Sequence, residues 1–216
     1  MNRVRMAKTT FALLCLFALN GCATVALSVA GLAAGKGLDH TLDGTVDRTY
    51  VAPVAGTYVA ALMTFKRMGM TVTKREKLEG VWTLEAETAS RKIELEIEPL
   101  SDLSSQARVE VSQLDFSLVK DSSTGNGILE QIAVDLSRLS DERQRVATVQ
   151  MLLVELGYDP GGIDGLKGKN TQTAIRSFQR EHAIHPDGDI SHRLITKLRS
   201  QMASHEDAAK KTAKQE

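Results

Sequence analysis

Residues 146–198 read VATVQMLLVELGYDPGGIDGLKGKNTQTAIRSFQREHAIHPDGDISHRLITKL, and this stretch decides how the C-terminal part of the chain folds. Val146, Val149, Leu153 and Leu156 recur at helical spacing, and Gly157 follows where a left-handed residue ends a helix. Tyr158 to Gly168 is a glycine-dense run of turn-forming residues. Asn170 or Thr171 can cap a second helix carrying Ala174, Ile175 and Phe178. His185-Pro-Asp-Gly188 is another turn, and Ser191 can cap a third helix carrying Leu194, Ile195 and Leu198. The pattern predicts an all-α three-helix bundle over residues 140–200, joined by tight loops.

Moving towards the N-terminus, residues 40–139 read as a separate α+β domain. Pro53 stands where a helix starts, and Val54, Tyr58, Ala61, Leu62 and Phe65 mark one helical face that Gly69 closes. Thr45 to Val51 reads as a first strand and Thr71 to Lys74 as a short one. Trp82, Leu84 and Ala86 then alternate with polar residues, as do Ile93, Leu95 and Ile97, and Ala107, Val109 and Val111. Alternation of this kind belongs to antiparallel strands with one buried and one wetted face. Asn126-Gly127 reads as a turn, followed by a second helix carrying Ile128, Ile132, Leu136 and Leu139. The fold class expected is α+β: a small helix-plus-antiparallel-sheet domain followed by the helical bundle.

The N-terminus reads as an address. Arg3, Arg5 and Lys8 precede the apolar run Phe11 to Leu19, the order of a secretory signal. The run closes at Leu19-Asn-Gly-Cys22, which resembles a bacterial lipobox. That resemblance implies a signal peptide over 1–21, lipidation of Cys22, and an Ala/Gly-rich linker over 22–39. Ala23 after the cysteine resembles lipoproteins sorted to the outer membrane. The apolar character continues to Ala34, long enough to span a bilayer, so an uncleaved inner-membrane signal anchor is the competing reading. Both place the domains on the periplasmic face of the envelope. At the other end, residues 201–216 carry no apolar stripe and read as a disordered or frayed tail.

Composition narrows the function classes. The 27 basic and 27 acidic residues cancel, and residues 141–200 are themselves balanced, so a nucleic-acid partner is not expected. Both cysteines, Cys15 and Cys22, lie at the N-terminus, which excludes disulfides and thiolate metal sites from the body of the chain. Glu94, Glu96 and Glu98 read as the solvated face of a strand, and His182, His185 and His192 as surface histidines; no metal and no cofactor are expected. Ser117-Leu-Val-Lys120 matches the S-x-x-K pattern of penicillin-binding enzymes. It follows a strand pattern, where serine and lysine point to opposite faces, and its companion motifs are absent. The sequence holds no G-x-S-x-G, no H-E-x-x-H and no wall-peptidase cysteine, and the chain is not expected to be an enzyme.

Two resemblances add to this reading. Leu42-Asp-Gly-Thr-Val-Asp-Arg-Thr-Tyr50, Lys66-Arg-Met-Gly-Met-Thr-Val-Thr73 and Ile93-Glu-Leu-Glu-Ile-Glu-Pro-Leu-Ser101, behind a lipobox, resemble the DUF3568 family of small bacterial lipoproteins, which implies no activity. After Val111 the sequence departs from that pattern. Gln150 to Tyr158, Ile163-Asp-Gly165, Gly168, Thr171, Ala174-Ile175, Phe178-Gln179, Asp187-Gly188 and Leu194 closely resemble the peptidoglycan-binding domain of the PG_binding_1 type. That implies a three-helix module that binds peptidoglycan. Gly165 and Gly168 read as loop freedom, Asp164 and Asp187 as turn or cap residues, and Phe178 as core. The exposed groups nominated for the wall polymer are Tyr158, Asp164, Lys167, Lys169, Thr171, Gln179 and Arg180, with Lys169 or Arg180 suited to a peptide carboxylate.

The expectation is therefore a non-catalytic lipoprotein tethering a membrane to peptidoglycan. The alternatives are an accessory of a cell-wall enzyme, which an exposed apolar patch on 40–138 would favour, or a protein-interaction module of an envelope complex. A blocked loop surface around Tyr158 and Asp164 would favour the last.

Overall fold

The computed structural model describes residues 40–42, 44–114 and 120–213, and residues 39–216 form one compact unit. Cys15, Cys22, the linker, Ser117 and the last three residues lie outside the described residues. The elements are β1 (His40–Leu42), β2 (Thr45–Tyr50), α1 (Val54–Arg67), β3 (Thr71–Leu78), β4 (Val81–Glu87), β5 (Arg91–Ser101) and β6 (Ser104–Gln113). Then follow α2 (Ser122–Ser137), α3 (Asp141–Glu155), α4 (Lys169–Glu181) and α5 (His192–Ala213). The strands form one antiparallel sheet in the order β1-β2-β6-β5-β4-β3. β3 to β6 form a meander, and α1 crosses from β2 to the far edge before the meander begins.

The alternating residues become one buried sheet face. Leu84, Ala86, Ile93, Leu95, Ile97, Ala107 and Val109 are all fully buried, under α1 and α2. The wetted face is a lattice of cross-strand charges, including Lys92 with Glu85 at 2.9 Å and Lys120 with Glu110 at 3.0 Å. Glu94, Glu96 and Glu98 stand on that face. α1 starts after Pro53 and ends at Gly69, whose φ of +70° lets the Met70 N–H reach back to the Phe65 carbonyl at 2.9 Å. It is covered on several sides, because α2 and α3 pack on it as well as the sheet.

Three expectations are corrected. β3 runs to Leu78, past Lys74, and pairs along its length with β4 through a turn at Glu79-Gly80. As an edge strand exposed along most of its length beyond Val72 it needs no apolar alternation, so the pattern gave no sign of its length. Asn126-Gly127 is not a turn but lies inside α2, which begins a turn and a half earlier. There the Asp121 carboxylate accepts from the Thr124 N–H at 2.9 Å. Residues 201–213 are not a disordered tail: α5 continues to Ala213, through a stretch free of glycine and proline.

The bundle is not suspended from the sheet domain on a linker. Val149 and Leu153 of α3 join Ile175, Phe178, Leu194 and Leu198 in the bundle core. Ala147 and Met151 of the same helix, with Ile163, complete the core of the sheet domain. α3 therefore serves two cores. Where it crosses α1, Gly56 provides the room; a Cβ there would come within 3.0 Å of the Gln144 amide oxygen.

Candidate functional site

The two loops of the bundle are each held by a buried glutamine. Gln150 on α3 accepts from the N–H groups of Asp164 (3.1 Å) and Gly165 (2.8 Å). Its amide nitrogen donates to the Asp164 carboxylate (2.8 Å), the Leu166 carbonyl (3.0 Å) and the Thr171 hydroxyl (3.1 Å). Gln179 on α4 repeats the device: it accepts from the Gly188 N–H at 2.9 Å and donates to the Asp187 carboxylate at 2.6 Å. Each aspartate then accepts from the N–H two residues on, Leu166 or Asp189, closing a local turn. Gly165 and Gly188 have φ near +72° and +77°, and a Cβ on either would meet α3 backbone or the Arg176 guanidinium within 3.0 Å. The Asp187 carboxyl is held below the usual carboxylate range, first by the Asp189 N–H and then by the Gln179 amide.

This geometry sorts the nominated residues. Thr171 and Gln179 are each 1% exposed, with their polar atoms committed to loop bonds; Thr171 also donates to the Pro160 carbonyl at 3.1 Å. They hold the surface and do not face a ligand, which corrects the expectation that they are exposed. Asp164 is exposed, but one carboxylate oxygen is occupied by the turn. Tyr158 is half-buried, edge-on against Phe178 with ring centroids 5.6 Å apart, and its hydroxyl donates to Glu181 at 2.5 Å. Burial first, then the Glu181 carboxylate, pushes its phenol up to about 12. Lys167 pairs with Asp189 at 2.5 Å, which ties the first loop to the second. Lys169 and Arg180 are exposed, and the Arg180 guanidinium rests on Ser177 at 3.1 Å and on the Arg176 carbonyl.

The candidates do not converge on one pocket. Lys169 and Arg180 sit at opposite ends of α4, separated along its axis by roughly 16 Å at 1.5 Å per residue. Lys167 and Lys169 share one end with Asp164, and Tyr158 and Arg180 share the other. The arrangement is an elongated polar surface with cations at both ends, suited to a polymer bearing carboxylates rather than to an enclosed small molecule. Two participants were missed. Leu166 is 55% exposed beside Lys167 and supplies an apolar ledge, while Glu181 orients Tyr158. The recurring order of a glutamine followed by Asp-Gly, 14 residues on at Gln150 and 8 at Gln179, is the sequence signal for the loop clamps. Among the described residues no cluster of histidine, cysteine or carboxylates could hold a metal ion. No described helix is long and apolar enough to cross a membrane.

Comparison with known families agrees with this division. The family model described as a protein of unknown function (DUF3568) matches residues 6–142. The PG_binding_1 model, described as "putative peptidoglycan binding domain", matches residues 142–198, the span of α3, α4 and the start of α5. No curated protein matches the chain.

Proposed function

The chain belongs to the DUF3568 family, and on that premise we propose that it is a non-catalytic envelope lipoprotein whose C-terminal module holds peptidoglycan. The observation that carries this reading is the peptidoglycan-binding match over a bundle whose long loop surface offers Lys169, Arg180 and Leu166 to solvent. Glycan chains with peptide stems present carboxylates at intervals, and cations at both ends of α4 suit such a target. The family match begins at residue 6 and so takes in the apolar run and Cys22, which supports reading the leader as part of the protein's design. Lipid on Cys22 would fix one end in a membrane, most simply the outer one, while the bundle grips the wall. Two contacts on one chain give the second an effective concentration in about the millimolar range, so weak wall binding suffices for a tether.

The test is co-sedimentation of a form lacking residues 1–22 with intact sacculi. Pelleting relieved by soluble muropeptides is the expected result; a folded protein left in the supernatant overturns the wall-binding reading. Lipidation is read separately, by incorporation of labelled palmitate that Cys22→Ser abolishes.

A second reading has its own observation. Val51, Leu78, Leu100 and Leu103 are 76%, 70%, 52% and 70% exposed, and strand pairing places all four at the same end of the sheet. An apolar end of that kind favours a docked protein partner, such as a cell-wall enzyme delivered to its substrate.

A further inference from the structure

Between the sheet domain and the bundle lies a cavity of about 260 Å³. Its apolar lining comes from both sides: Val54 and Trp82 from the sheet domain, Met151, Leu152 and Met202 from the bundle. Two acid–base pairs that bridge the seam also line it. Lys77 of β3 meets Glu155 of α3 at 2.8 Å, and Asp102 of the β5–β6 turn meets Arg199 of α5 at 3.0 Å.

The two pairs differ. Glu155 is the last residue of α3, with a side chain only 12% exposed. An anion there faces the negative end of the helix dipole, against the local rule, so its surroundings favour a cation. The Trp82 indole adds to that preference; the Lys77 ammonium, 6.0 Å from its centroid and on a side chain 28% exposed, holds that place until an incoming ammonium exchanges with it and Lys77 turns to solvent. The second pair is open to water, with Arg199 47% and Asp102 75% exposed, and such pairs are held weakly. An incoming carboxylate displaces Asp102 from Arg199 at little cost. The volume falls just under the roughly 300–1,000 Å³ typical of small-ligand sites, which suits one side chain rather than a sugar polymer.

We infer that the seam cavity is a second ligand site for an ω-amino acid, with its ammonium beside Glu155 and Trp82, its apolar chain along Met151 and Leu152, and its carboxylate on Arg199. A diamino-acid residue that ends a wall stem peptide, with its α-carboxylate free, has this chemistry, and the inference rests on the peptidoglycan reading only for that source. The site belongs to neither matched span alone: Lys77, Trp82 and Asp102 fall in the first, Met151, Leu152 and Glu155 in the second, and Arg199 just beyond it.

Trp82 is the single tryptophan, so its emission reports on the cavity. The form lacking residues 1–22 is titrated with 6-aminohexanoate, hexanoate and hexylamine. The expected result is a saturable emission change with 6-aminohexanoate and binding at least about tenfold weaker for the other two. Glu155→Gln should weaken 6-aminohexanoate about tenfold and leave hexanoate unchanged, while Arg199→Met should weaken it and leave hexylamine unchanged. Equal responses to all three probes, no saturable response, or wild-type affinity in both variants overturns the inference. Sacculus pelleting without an emission response sinks the cavity alone. An emission response without pelleting sinks the wall reading and leaves the cavity standing.

Discussion

Replacing Gln150 with leucine should cost more stability than the same change at Gln179, because the two clamps differ in what they leave behind. Gln150 makes five hydrogen bonds, four to the first loop and one to Thr171 of α4, and Gln179 makes two to the second loop. Leucine keeps most of the volume and none of the polarity. In Gln150→Leu the Gly165 N–H is left buried without a partner, a loss of roughly 1–3 kcal/mol. Asp164 and Leu166 are exposed, so water replaces much of what they lose, and those bonds add about 1 kcal/mol together. Thr171 keeps its bond to Pro160. The sum is about 3 kcal/mol, or a fall in Tm of roughly 6–12 °C for an ordered region of this size. Gln179→Leu strands only the Gly188 N–H and should cost about 2 kcal/mol. Urea unfolding followed by helical circular dichroism measures both. A Gln150→Leu protein within about 0.5 kcal/mol of wild type, or less destabilised than Gln179→Leu, refutes the clamp reasoning.

Glycines of α2 give a paired test. A Cβ on Gly125 would lie 2.7 Å from Val46 Cγ2, so Gly125→Ala should destabilise by about 1–3 kcal/mol, whereas Gly127 has open space and Gly127→Ala should stabilise by up to about 1 kcal/mol in thermal unfolding. Asp121 is held below the usual carboxylate range by the Thr124 hydroxyl and N–H and then by Arg91. A carboxyl depressed in the folded state stabilises above its ordinary value of 3.8 and loses that contribution as pH falls below it, so Asp121→Asn should flatten the acid limb of a stability–pH curve while keeping the cap. A fragment of residues 140–216 exposes Ala147, Met151 and Ile163, and should lose about 3–5 kcal/mol relative to the bundle in the full chain, measured by hydrogen exchange of α4 amides.

What was legible in the sequence follows from what each residue touches. β4, β5 and β6 each bury one face, so Leu84, Leu95 and Val109 stand in strict alternation and the sheet could be read directly. β3 buries little beyond Val72, and its pairing with β4 is written in backbone hydrogen bonds, in the turn at Glu79-Gly80 and in cross-strand contacts such as Lys74 with Glu85, none of which leaves an apolar alternation. The start of α2 was hidden because Asn-Gly reads as a turn in isolation, while the tertiary reason for glycine there is the approach of Gly125 to Val46. At the candidate site, the loops and turn aspartates were legible from local chemistry. The burial of Thr171 and Gln179 was not, since a polar residue beside a loop reads as exposed until the loop closes over it. Nor was the seam: Asp102 and Arg199 are 97 residues apart, and no local pattern links them.

α3 is where these separations meet. The two family matches abut at residue 142, the second residue of that helix, so by sequence α3 belongs to the wall module. By packing it belongs equally to its neighbour. Gln150 clamps the loop, and the next residue, Met151, enters the core of the sheet domain and lines the seam cavity. One turn later Glu155 pairs with Lys77 across the seam. In a chain anchored near Cys22 and gripping the wall through its loops, load between the sheet domain and the bundle would pass through the α1–α3 contact and the seam pairs. Filling the cavity ties the two domains together at that contact. By reciprocity, any coupling between cavity and loops must then act in both directions, wall binding strengthening cavity binding by the same factor.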